Sequence, residues 1–149
     1  MEATKATTPL KGLRSMAVIN IFLLSIQAWS GDVVNLFATF SGGAVSGMGQ
    51  FFGALAAAGP GPLASWHAIE GVAVVLISAG IAVASFTSTR SRNIRIVAIL
   101  GLFFVLSAAY GGYDFVLSGF LNNGSSAQMG GAFIGAYAMN FLVLYYSKP

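Results

Sequence analysis

The chain has 149 residues, 56% of them hydrophobic and only 7% charged, where soluble domains carry about 25% charge. So few polar groups cannot cover a globular surface, and lipid is the natural solvent for such a chain. The lack of cysteine excludes disulfides, thiolate metal sites, iron–sulfur clusters and c-type haem attachment. The net charge of +3 comes from short, separated basic clusters without interleaved polar or aromatic contacts. That is a topology signal, not a nucleic-acid-binding one.

The length suits one domain. The first thirty residues have a basic start, an apolar run and Ala28-Trp29-Ser30, which would serve as a signal-peptide cleavage site; a retained first transmembrane helix is the preferred reading. A spanning helix needs about 20 apolar residues. Four segments meet this: about Met16 to Phe37, Ala64 to Thr87, Ile96 to Leu117 and Gln128 to Tyr146. The expected fold is an all-α membrane protein, a four-transmembrane-helix bundle.

An even number of spans puts both termini on one side. Lys5, Lys11, Arg14, Arg90, Arg92, Arg95 and Lys148 then share one face, which the positive-inside rule makes cytoplasmic. The expected location is the plasma membrane. Trp29, Trp66 and Tyr113 fall near the outer boundary, and Tyr145 and Tyr146 near the inner one, as aromatic belts do.

The outer Gly/Ala-rich loop, residues 38–63, ends Gly59-Pro60-Gly61-Pro62, which breaks any helix. Phe51, Phe52 and Leu55 make it greasy, so a short helix in the membrane interface is expected, with a flexible linker as the alternative. The Gly-rich run from Ser41 to Gly49 is too weak a signal for a phosphate loop.

Leu24, Ser25 and Asp32 recur 82 residues later as Leu106, Ser107 and Asp114, and Phe22 as Phe104; Gly71 is echoed by Gly135. This is consistent with two parallel halves related by a pseudo-two-fold axis along the membrane normal. Gly131 with Gly135, Ala132 with Ala136, and Ala108 with Gly112 are small-xxx-small pairs. They suit close helix packing, inside the bundle or against a partner chain.

Ionisable groups in spans are costly and so point to function. Asp32, Glu70, Asp114 and the single histidine, His67, belong near the outer helix ends. His67 and Glu70 are three apart and share a helix face. These four could bind a divalent cation through nitrogen and oxygen donors, or the carboxylates could relay protons. A hydrated role at the headgroup level is the plainer alternative. Catalysis is not expected: no Ser–His–Asp set, no phosphate loop after a strand and no HExxH is found.

Gln27 with Gly31, His67 with Gly71, the basic link Arg90 to Arg95, and Asn140 together resemble small four-helix membrane proteins of the haem-A-synthase-like and cytochrome-b561-like type. The resemblance covers about residues 16–147. It implies a pseudo-symmetric bundle with an axial His early in the second span and another in the fourth. The second histidine would fall near Tyr137 and is absent. The resemblance therefore implies a haem b on His67 alone, a His67/Met129 pair, or a bundle without haem.

Three functions follow. The leading one is an accessory or scaffold subunit of a larger membrane complex, respiratory or redox by analogy, contacting the lipid bilayer and other membrane subunits or a second copy. The others are a b-type haem electron-transfer module and a small proton or cation conductor using Glu70, Asp32 and Asp114.

Overall fold

The computed structural model describes residues 8–37, 48–58 and 62–148. It is all-helical in these segments. The helices are α1 (Thr8–Phe37), α2 (Met48–Ala57), α3 (Leu63–Ser88), α4 (Arg92–Leu117) and α5 (Asn123–Tyr146). All but α2 are long and apolar enough to cross a membrane. The greasy stretch around Phe51 is thus a short helix, while residues 38–47 and 59–61, with the Gly-rich run before Gly49, lie outside the described residues.

Helix starts lie earlier than hydropathy alone suggests. On α1, Leu13, Ala17, Asn20 and Leu24 are buried, a helical stripe that begins before the apolar run while Lys11 is exposed. Ser91 caps α4 by accepting from the Ile94 N–H. Asn122 caps α5, accepting from the N–H groups of Gly124 and Ser125. A cap supplies acceptors for otherwise orphaned donors, so the polar first turn of α5 is helical. Between α4 and α5, Gly119 and Phe120 have φ of 68° and 65°. Phe120 keeps this uncommon conformation while its ring packs edge-on against Phe115 at 5.5 Å.

The four long helices form a ring in chain order: α1 packs on α3, α3 on α4, α4 on α5, and α5 closes on α1, while α2 lies on α3 and α4. The core has three layers. Val34, Leu55, Ala58, Ala64 and Val116 fill the end that holds α2. Leu24, Val74, Val105 and Ala136 fill the middle. Leu13, Ile81, Ile94, Val97 and Val143 fill the end that holds the basic residues. There Arg95 Nη2 donates to the carbonyls of Thr89, at 2.7 Å, and Phe86, at 3.4 Å. These are carbonyls at the end of α3 that have no helical donor of their own.

The small residues divide between two surroundings. Ala132 and Ala136 are buried in the bundle. A Cβ on Gly135 would overlap the Phe104 ring, and one on Gly112 would lie 3.3 Å from Met129 Sδ. Ala108 is half-buried. Gly131 behaves differently: it is exposed, and a Cβ there would meet nothing within 4 Å. Of the Gly131/Gly135 pair, only Gly135 takes part in packing within the bundle.

Candidate functional site: a polar clamp between α1 and α3

The same spacing occurs on both helices: Gln27-x-x-Ser30-Gly31 on α1 and His67-x-x-Glu70-Gly71 on α3. The two segments run antiparallel and interlock. A Cβ on Gly31 would lie 3.0 Å from His67 Cε1, and one on Gly71 would lie 3.2 Å from Gln27 Nε2. Each glycine is a notch for the long side chain of the other helix.

Hydrogen bonding assigns the imidazole tautomer. Gln27 Nε2 donates to the His67 carbonyl at 3.1 Å and faces His67 Nε2 at 3.1 Å. A carbonyl only accepts, so the amide must present its nitrogen here, and His67 Nε2 must be the unprotonated, accepting nitrogen. The ring proton is then on Nδ1, which donates to Ser30 Oγ at 2.9 Å. The Ser30 hydroxyl has a Glu70 carboxylate oxygen at 3.2 Å and the Gln27 carbonyl at 3.2 Å. The carboxylate is the stronger acceptor. The result is a polarised chain from Gln27 through His67 and Ser30 to Glu70. Ser30 and Glu70 are buried, and Gln27 Oε1 is buried with no partner.

The other described acids, Asp32 and Asp114, lie apart from this cluster. Asp32 is exposed near the end of α1. Asp114 accepts from Ser125 Oγ and, at 2.8 Å, from Asn122 Nδ2, tying the end of α4 to the start of α5. Among the described residues no three His, Asp or Glu side chains gather as a metal site, so His67, Glu70, Asp32 and Asp114 do not converge. Met129 sits in the notches of Gly111 and Gly112 between α4 and α5, the pair opposite α1 and α3 in the ring.

These residues do not fit a haem as packed. Both ring nitrogens of His67 already have partners, and Met129 faces a different helix pair. A cavity within the bundle, lined by Asn20, Ser78, Gly101 and Asn140 among others, measures about 10 Å³, room for one water. A larger hollow of about 420 Å³ lies outside α3, lined by Pro62, Leu63, Ser65, Trp66 and Ile69; His67 is not part of it.

A second polar node lies two turns further along. Asn20 Nδ2 donates to Ser78 Oγ at 3.0 Å and to Asn140 Oδ1 at 3.2 Å, and Asn140 Nδ2 donates to the Ala136 carbonyl at 2.8 Å. The layer of Leu24, Val74, Val105 and Ala136 falls between this node and Glu70. Beside this layer Ser25 Oγ and Tyr137 Oη are hydrogen-bonded at 3.0 Å, joining α1 to α5. Asn20 and Ser30 carry these networks without standing out in the sequence. The paired spacing of Gln27, Ser30 and Gly31 with His67, Glu70 and Gly71 was the signal available for Ser30.

No protein-family model matches this chain, and no curated protein or solved structure matches it either.

Proposed function

We propose that the chain is an accessory, non-enzymatic subunit of a larger membrane assembly, docked through the outward face of α5. The observation that carries this reading is the bare backbone at Gly130 and Gly131, where an added Cβ would meet nothing within 4 Å. Lipid chains gain little from such a surface. A second helix gains close backbone approach and dispersion contact. The same side of α5 exposes Ala127, Ile134, Ala138 and Phe141, and α5 buries the smallest share of its span, 22% against 28%, 33% and 33%.

In this reading the polar groups of the interior hold the bundle together. The basic end is cytoplasmic, with both termini there. The halves α1–α3 and α4–α5 are related by a pseudo-two-fold axis. The sequence echo of Leu24, Ser25 and Asp32 in Leu106, Ser107 and Asp114 supports that relation.

The test is purification from native membranes in mild detergent. The wild type is expected to carry partner chains and to show no Soret band, whereas Gly131→Leu loses the partners and keeps its own unfolding temperature. A wild type that runs alone as a single copy would sink the proposal. A Soret band abolished in His67→Ala would replace it with the haem reading.

A further inference from the structure

The basic residues form a surface whose charge nothing in the described helices neutralises. Leu13 on α1, Ile94 on α4 and Val143 on α5 share one core layer, so Lys11, Arg90, Arg92 and Lys148 all flank the same end of the bundle. All four are exposed. The described carboxylates lie at the far ends of the same helices. At 1.5 Å per residue, Arg14 is about 27 Å from Asp32, and Arg92 about 33 Å from Asp114. Glu70 is about 27 Å from the end of α3 at Ser88 by the same rise. Physiological salt screens charges beyond about 8 Å, so none of these described acids neutralises the basic end.

The basic groups differ in what they already do. Arg95 is engaged with the carbonyls of Thr89 and Phe86 and lies over the Phe86 ring at 5.3 Å; it closes the α3–α4 link. Arg90 and Arg92 stand on either side of Ser91, the cap of α4, whose first turn holds no acid. The partial positive charge of a helix start adds to theirs. Lys148 Nζ lies over the Tyr145 ring at 5.2 Å, just past the end of α5.

We propose that this end binds the phosphates of anionic phospholipids, with Arg90 and Arg92 as the principal contacts and Lys11 and Lys148 beside them. Two features select a lipid. The surface borders spans that must themselves be bathed in lipid, and it is spread across helix ends rather than folded into a pocket for a small ion. Juxtamembrane basic clusters hold anionic headgroups electrostatically. The inference stands apart from the subunit reading: a chain that runs alone would still bind these lipids.

The experiment extracts the full chain from vesicles of phosphatidylcholine mixed with phosphatidylglycerol and measures the lipid retained on it. Wild type is expected to hold phosphatidylglycerol enriched severalfold over the bulk ratio, with the enrichment lost at high salt. Arg90→Gln with Arg92→Gln should lose most of it, and adding Lys11→Gln and Lys148→Gln should lose the rest. Asp32→Asn, at the other end, should retain it. Both arginines are exposed, so the variant folds, and its unfolding temperature confirms this. Retention at the bulk ratio, or unchanged enrichment in the fourfold variant, overturns the proposal. So does displacement of the lipid by inorganic phosphate at low concentration, which would mark a small-anion site instead.

Discussion

Ser30 sits between the imidazole and the carboxylate of the clamp. Its hydroxyl accepts from His67 Nδ1 and donates to Glu70. Ser30→Ala would remove both bonds, leaving a ring N–H and a carboxylate facing each other's helix without a mediator. Buried groups that lose a partner cost about 1–3 kcal/mol each, while interhelical bonds in membranes average about 0.6 kcal/mol. The expected loss is therefore about 1–2 kcal/mol in detergent unfolding. Gly31→Val should cost at least as much, because its Cβ alone would lie 3.0 Å from His67 Cε1, and overpacking costs about 1–3 kcal/mol. If both variants melt with the wild type, the clamp does not hold α1 to α3. The sequence carried half of this site. His67 and Glu70 are three apart and visibly share a face. That Gln27 and Ser30 meet them depends on the antiparallel register of two helices, which no local pattern states. Asn20 was hidden for the same reason: one polar residue in an apolar run shows no partner until Ser78 and Asn140 are brought beside it.

At the level of elements, the four spans were legible because a membrane helix must be apolar over its whole length, and that is a one-dimensional property. Their first turns were less legible. α5 starts at Asn123 rather than near Gln128, because the Asn122 cap makes a polar first turn helical. The α4–α5 corner is held by a second polar group: Asp114 accepts from Ser125 and Asn122, and its charge lies against the start of α5, where the helix dipole favours it. The two acids that the sequence pairs by their spacing are thus unequal. Asp114→Ala should destabilise the bundle by about 1–3 kcal/mol, with Asp114→Asn losing about half as much because an amide oxygen can still accept. Asp32 is exposed, so Asp32→Asn should stay within about 0.5 kcal/mol of wild type. Thermal unfolding of the four proteins in one detergent decides this. Equal losses at the two positions would mean that Asp32 has an interhelical role like that of Asp114.

At the level of the whole molecule, charge asymmetry makes a statement that packing does not. Ring closure of α1, α3, α4 and α5 fixes which helices touch but is indifferent to which end faces the cytoplasm. Moving the basic end through the bilayer is opposed by the cost of burying each Lys or Arg at the membrane centre, about 2.5–3.5 kcal/mol on insertion scales, and basic flanks are retained on the cytoplasmic side. The absence of cysteine in the chain makes the orientation directly measurable, since any introduced thiol is unique. Asn93 in the first turn of α4 and Asn123 in the first turn of α5 are both exposed and lie at opposite ends of the bundle. With a membrane-impermeant maleimide, Asn123→Cys should label on intact cells, and Asn93→Cys only after the membrane is opened. The reverse pattern would place the basic end outside. It would also remove the negatively charged cytoplasmic leaflet as the surface that Arg90 and Arg92 meet, so one labelling experiment constrains both the orientation and the lipid that the basic end can reach.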